Sequence, residues 1–264
     1  MATLLTGLQS ATLTISLNRP ERANAFNFEM IAELRAALEQ AATDSQICCV
    51  VLTGTGASFC AGHDITEMLA AQEQDVSYRE HLDETYNPLI LQIRQLEKPV
   101  IAAINGPVAG AGLGVALACD MRVASETALF TVGFSGIGLV PDSAVSLLLP
   151  AVIGLGRATE FTFTNQPITA AQASEWGMVN QVVPQDKLAE VAEKLAAGLA
   201  AGPTGAYGLT KRLFNQNVLP NLEGALAFEG ELQEVASKGK EHIEGVKAFL
   251  EKRTPNFNAK DSER

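Results

Sequence analysis

Residues 98–120, KPVIAAINGPVAGAGLGVALACD, decide the fold. Val100, Ile101, Ala102, Ala103 and Ile104 form a short continuous apolar run, the pattern of a strand buried on both faces. Asn105, Gly106 and Pro107 break that run and mark a turn. Gly110, Gly112 and Gly114 then open an apolar segment that reads as a tightly packed helix. No residue from Pro99 to Cys119 is charged, and about 20 such residues are enough to span a bilayer. The Asn, Pro and Gly breakers instead favour a buried strand–turn–helix unit.

The same theme repeats outward from this unit. Upstream, residues 47–52 (ICCVVL) are another apolar run that stops before Gly54 and Gly56. Residues 13–17 (LTISL) read as a strand with Asn18-Arg19-Pro20 as its exit turn. From Asn27, a plausible N-cap, the residues Met30, Ile31, Leu34, Ala37, Leu38 and Ala41 share one face of a helix. Downstream, residues 121–124, 128–132 and 178–183 are further strand candidates. Residues 66–84 are polar and read as a loosely held helix or flap. Beyond Pro184 the pattern is wholly helical, over 186–201, 204–216 and 222–253. Strands alternating with helices give an α/β class, with a body at 1–200 and a helical region at 201–264.

Composition narrows the function. The chain has 264 residues, with 19 Lys+Arg against 30 Asp+Glu, a net charge of −11. An acidic balance argues against nucleic acid or an anionic membrane surface as partner. Aromatic residues make up only 6% and form no base-stacking platform. Cys48, Cys49, Cys60 and Cys119 form no C-x-x-C pair and no zinc spacing, which predicts reduced thiols, no metal site and a cytoplasmic protein. The first ten residues lack the basic and apolar blocks of a signal peptide.

Most candidate motifs fail on spacing. Gly110, Gly112 and Gly114 lack the third position of a dinucleotide fingerprint, and no Lys-Ser/Thr follows any glycine loop. Gly133-Phe134-Ser135-Gly136 misses the nucleophile elbow because Ile137 stands where a second glycine belongs. Two loops remain: residues 58–64 (SFCAGHD) and 106–114 (GPVAGAGLG). Each follows a strand and leads into a helix N-terminus, where backbone N–H groups lack helical partners. Side by side, they could aim two N–H groups at one oxygen, as an oxyanion hole does. The alternative is that both are ordinary tight βα connections.

These segments together resemble the crotonase, or enoyl-CoA hydratase/isomerase, superfamily over almost the whole chain. Residues 18–25 (NRPERANA) are similar to its N-R-P-x-x-x-N-A segment, and residues 59–64 (FCAGHD) to its F-x-A-G-x-D loop. Residues 98–120 follow its K-P…N-G…G-x-G…C-D pattern, and residues 171–179, with Glu175-Trp176-Gly177, match a further segment. The resemblance implies a ββα spiral core with a C-terminal helical region that builds a homotrimer or a dimer of trimers. It implies an acyl-CoA thioester as substrate and no separate cofactor, coenzyme A being part of the substrate. The backbone N–H groups of His63 and Ala111 would form the oxyanion hole. Ala23, Ala25, Ala61, Asp64 and Ile65 would flank coenzyme A, and Phe257 and Lys260 would reach a neighbour's site. Arg22, Lys211, Arg212, Lys252, Arg253 and Lys260 are the candidate phosphate-binding cations.

Hydratases of this family use two glutamates, and their positions fall at Gly114 and Phe134 here. One carboxylate remains nearby, Asp142. From the residues alone it is either the N-cap of a helix over 143–149 or a proton carrier. Residues 134–143 (FSGIGLVPDS) resemble the F-S-x-[IL]-G-L-[IV]-P-D-[CS] segment of ring-1,2-epoxyphenylacetyl-CoA isomerases, which implies that Asp142 is catalytic. Burial among Phe134, Leu139 and Val140, with Phe134 and Val140 lining the acyl pocket, would raise its pKa. The expected activity is therefore isomerisation of an epoxyphenylacetyl-CoA or a 3-enoyl-CoA, in phenylacetate or fatty-acid breakdown. An atypical hydratase, an aryl-CoA dehalogenase and a non-catalytic scaffold are the alternatives. His81 is expected to be a solvated histidine.

Overall fold

The computed structural model describes residues 2–68 and 77–258. A six-stranded sheet has the order β1-β2-β3-β4-β6-β9, formed by β1 (Leu4–Gln9), β2 (Thr12–Leu17), β3 (Cys49–Gly54), β4 (Val100–Ile104), β6 (Met121–Ser125) and β9 (Gln181–Val183). All neighbours are parallel except β1 and β2, which form an antiparallel hairpin. A smaller sheet, ordered β5-β7-β8, joins β5 (Val108–Ala109), β7 (Leu129–Thr131) and β8 (Ile168–Thr169).

The apolar runs are continuous because the parallel strands are covered on both faces. Val50, Leu52, Val100, Ala102 and Ile104 point into the main core, shared with Met30, Ile31 and Leu34 of α1 (Phe28–Thr43). Cys49, Val51, Ile101 and Ala103 point the other way, onto Leu188, Ala192 and Ala196 of α8 (Leu188–Ala200). Asn27 caps α1 as expected, its side-chain oxygen accepting the Met30 N–H at 2.9 Å.

Between these layers lie α2 (Tyr78–Glu84), α3 (Tyr86–Gln95), α4 (Ala111–Ala118), α5 (Val145–Ile153), α6 (Leu155–Thr164) and α7 (Ala170–Glu175). The polar stretch expected to be a flap is partly α2; residues 69–76 lie outside the described residues. The helical region contains α9 (Thr204–Val218), α10 (Leu222–Ser237) and α11 (Lys240–Leu250). The long helix expected over 222–253 is thus two helices, because Gly239 adopts an extended conformation (φ −79°, ψ 150°) at the start of α11.

A buried ionic knot ties this region to the body. Asp120 accepts from Arg94 of α3 at 3.1 Å and from Lys211 of α9 at 2.8 Å, and also from the Val100 N–H at 2.8 Å. Lys211 is therefore committed inside the protein and does not belong to a phosphate-binding rim. Arg212 is paired with Glu97 at the surface. Among the described residues, no helix is long and apolar enough to cross a membrane.

Candidate active site

Two asparagines shape the first loop. The Asn24 amide donates to the carbonyls of Thr55 (2.9 Å) and Ser58 (2.7 Å), and its oxygen accepts the Arg19 N–H at 2.9 Å. Asn105 donates to the carbonyls of Gly56 and Ser58, both at 3.1 Å, and accepts the Gly54 N–H. The buried amides thus satisfy the turn that follows β3 and hold it rigid. Asp64 fastens the far end. Burial alone would raise its carboxyl, but hydrogen bonds from Thr66 and Arg19 outweigh that and hold it below the usual carboxylate range.

The two candidate loops run side by side. Cys60 bridges Val108 in parallel, with the Ala109 N–H donating to the Cys60 carbonyl at 2.9 Å. Three residues further along each chain come His63 and Ala111. The approach is close enough that a Cβ on Gly62 would lie 3.1 Å from the Ala109 carbonyl oxygen and 3.6 Å from the Ala111 nitrogen. Gly62 (φ +97°) and Gly110 (φ +55°, ψ −132°) hold conformations that an L side chain resists. Among the described residues, neither the His63 nor the Ala111 N–H donates to another backbone carbonyl. Ala111 opens α4, an uncharged helix whose N-terminal field reinforces its free donor.

Both loops face one cavity of about 850 Å³. Ala23, Ala25, Ala61, Asp64 and Ile65 line it, five of the seven expected coenzyme A contacts, together with Arg22. Arg22 has no ion-pair partner among the described residues, whereas Arg253, also on the wall, is held by Glu244 and Glu251. Phe257 is not among the lining residues, Lys252 is likewise off the wall, and Lys260 lies outside the described residues. The other part of the wall carries Phe134, Ile137, Leu139 and Asp142. Val140, expected on the wall, is absent from it; its N–H is instead engaged by Gln233 at 3.2 Å.

Asp142 does not cap a helix. Helix α5 begins at Val145, whose N–H donates to the Asp142 backbone carbonyl, and the N–H groups on either side of it are taken by a carboxylate from far along the chain. Glu229 of α10 accepts the Ala144 N–H at 2.9 Å and the Ser146 N–H at 3.0 Å. The Asp142 carboxylate is thereby left for the cavity. One of its oxygens accepts the Ser143 hydroxyl at 2.8 Å and the other accepts the Gln233 side-chain amide at 2.7 Å. Desolvation pushes its pKa up to about 6, the Gln233 and Ser143 hydrogen bonds limiting the rise. Burial likewise pushes Glu229 up to about 7. Gln233 and Glu229 had no signal in the sequence: they lie some 90 residues from Asp142, on a helix face like many others.

His81 also departs from expectation. It lines the cavity, and its Nε2 atom is buried without a hydrogen-bond partner among the described residues. Its ring lies edge-on to His63, 4.8 Å between centroids. Desolvation pushes His63 down to about 3 and His81 to about 4, so both rings are neutral at physiological pH.

Two N–H donors and a buried carboxylate on the wall of one cavity suit the polarisation and deprotonation of a carbonyl compound, and similarity points the same way. The enoyl-CoA hydratase/isomerase family model matches residues 7–260. The chain belongs to that family. It is 40% identical to the 1,2-epoxyphenylacetyl-CoA isomerase of Escherichia coli, over 98% of this chain and all of that one. It is 35% identical to the 2,3-dehydroadipyl-CoA hydratase of the same organism, over 98% and 100%. The crystal structure of an enoyl-CoA hydratase from Mycobacterium avium subsp. paratuberculosis superposes with a TM-score of 0.87 at 35% identity, covering 98% of this chain and all of the other. The fold is accordingly the crotonase fold, and family membership carries hydratase/isomerase chemistry on an acyl-CoA thioester.

Proposed function

We propose that this chain is an acyl-CoA isomerase that works through a thioester enolate, with Asp142 as the proton carrier. The observation that carries this reading is that Asp142, buried and with its carboxyl raised to about 6, lines the same cavity as His63 and Ala111, whereas the other buried carboxylate there, Asp64, is tied to Arg19. The thioester oxygen sits between those two donors. Asp142 removes a proton from the α-carbon, and the electron pair moves into the C–C–O system as an enolate. The two N–H groups and the N-terminus of α4 stabilise the oxygen charge, each donor of this kind being worth about 10²–10³ in rate. The same carboxyl returns the proton at the γ-carbon, which moves the double bond from the 3- to the 2-position.

A carboxyl titrating near 6 is mostly ionised at neutral pH yet holds a proton long enough to deliver it. Hydration by a pair of glutamates lacks its acid–base groups at the two expected positions. A Cβ on Gly114 would lie 2.5 Å from the Ser143 carbonyl oxygen, so a glutamate has no room there, and Phe134 cannot move a proton. Identity of 40% to a 1,2-epoxyphenylacetyl-CoA isomerase favours an epoxidised arylacetyl-CoA as first substrate and a 3-enoyl-CoA as second. No separate cofactor is required. Arg22 is the cation best placed for a coenzyme A phosphate. The exposed Leu213, Phe214 and Val218 of α9 support assembly into a trimer or a dimer of trimers.

The test follows the product of each CoA ester by absorbance and chromatography, in wild type and in Asp142→Asn. Asp142→Asn should bind the esters and lose about 10²–10⁴ in kcat. Full isomerase turnover by that variant would overturn the reading. A 3-hydroxyacyl-CoA as main product would establish the hydratase alternative, and no turnover across the panel would establish a scaffold.

A further inference from the structure

The cavity wall holds a polar cluster that the isomerase chemistry does not use. Tyr86, at the start of α3, is 1% exposed, and its hydroxyl meets the His63 Nδ1 at 2.8 Å, its one partner among the described residues. A buried hydroxyl with a single neighbour donates to that neighbour, because an unpaired O–H is costly. Nδ1 is therefore the acceptor, and the proton of the neutral imidazole resides on Nε2. His81 packs against the same ring, and Phe28 stands edge-on to His81 at 5.1 Å between centroids. All four side chains line the cavity.

An isomerase acting on a plain hydrocarbon chain needs only apolar surface at this wall. Three hydrogen-bonding side chains are there instead, one of them with an orphaned buried nitrogen. Their neutrality makes them poor proton carriers and suits them as fixed donors, in the way a neutral imidazole polarises an oxygen elsewhere in enzymology.

We propose that the Tyr86–His63–His81 cluster is a recognition wall for an oxygen atom carried on the acyl group, with the His63 Nε2–H as the donor. The inference rests on the acyl-CoA reading and names its substrate class: oxygenated acyl groups, such as an arene epoxide or a hydroxylated ring, ahead of their hydrocarbon counterparts. His63 then contributes twice, with its backbone N–H toward the thioester oxygen and its imidazole toward the oxygen of the acyl group. Tyr86 acts through His63 by fixing its tautomer and is a positioning residue.

The test is binding, which separates it from turnover. Calorimetry compares phenylacetyl-CoA with its three ring-monohydroxylated isomers, in wild type and in His63→Leu, His63→Gln and Tyr86→Phe. Wild type should bind at least one hydroxylated ester about 10–100-fold more tightly than phenylacetyl-CoA. His63→Leu should abolish that preference, His63→Gln should recover part of it, and Tyr86→Phe should reduce it severalfold. Should His63→Leu not fold, Tyr86→Phe, which removes a single oxygen, carries the comparison. Equal binding of all four esters by wild type overturns the inference and leaves the isomerase reading intact. So does a His63→Leu variant that keeps the preference, or one that weakens all four esters alike. Wild type that binds none of them overturns the acyl-CoA reading and this inference together.

Discussion

The loops at residues 60–64 and 108–112 owe their geometry to short-range partners: a parallel bridge, two left-handed glycines and two asparagines buried in the adjacent turn. The segment at residues 138–146, on another part of the same cavity wall, owes its geometry to α10. Gln233 fixes the Asp142 carboxylate, and Glu229 closes the end of α5. On the proposed reading, the charge-stabilising half of the site is therefore built from backbone and local sequence. The proton-moving half is built from side chains brought together by tertiary packing. Damage to the first should lower the rate without moving the pH profile, whereas damage to the second should show in pH dependence or in stability, according to whether it touches Asp142 or the end of α5.

Among variants that keep the Asp142 carboxylate, the largest effect is expected in the backbone half. Gly110→Val forces a β-branched residue into φ +55°, ψ −132° and displaces the Ala111 N–H. Steady-state kinetics should show kcat falling by about 10²–10³, with the pH profile unmoved. A shifted pH profile would mean that the two halves are not separate.

Asp142→Asn probes the other half through stability. The wild-type carboxyl titrates at 3.8 unfolded and about 6 folded, so the folded state holds the extra proton between those values. Stability is therefore lost as pH rises through that window, by about 3 kcal/mol from this group. Thermal denaturation from pH 4 to 8 should show a smaller loss in Asp142→Asn than in wild type. An identical loss would mean that Asp142 is not desolvated.

Gln233→Leu removes a hydrogen bond that favours the Asp142 anion, and its carboxyl pKa should rise further. The acid limb of kcat/KM should move to higher pH, with activity at pH 6 down roughly 10-fold and a smaller deficit at pH 8. A uniform loss at every pH would reduce Gln233 to a packing role. The smallest change is Glu229→Gln, which leaves one of the two α5 N–H groups poorly matched. A loss of about 1 kcal/mol is expected in urea denaturation, as for a removed helix cap, with kcat nearly unchanged.

The same contrast decides what the sequence reveals. The 98–120 unit was legible to the residue at β4, and Asn27 declared the start of α1, because apolar runs, breakers and caps are local signals. Strand β1 was missed. Its hairpin turns on Ser10 and Ala11, both at positive φ, where Asn-Gly would have announced the turn. Its last five residues, Leu5 to Gln9, are all exposed, so no alternation of buried and exposed positions marks the strand. Asp142 looked like a cap because Pro-Asp-Ser before an apolar run usually is one; only the distant Glu229 shows that the position is already filled. Lys211 resembled a surface cation, yet it is buried against Asp120 because the register of α9 on the body brings the two together. The polarity of residues 66–84 concealed His81, whose neighbours on the wall come from α1, α3 and the 58–64 loop.

Dependence on α10 also gives the protein an order of completion during synthesis. When the ribosome has added residue 200, every loop that supplies an oxyanion donor has already been made. Asp142 at that moment lacks the amide that orients it, and α5 lacks the carboxylate that closes its first turn. On the proposed reading, the nascent chain holds its electrophilic apparatus before it holds a usable base, and catalytic competence arrives only as α10 emerges and docks.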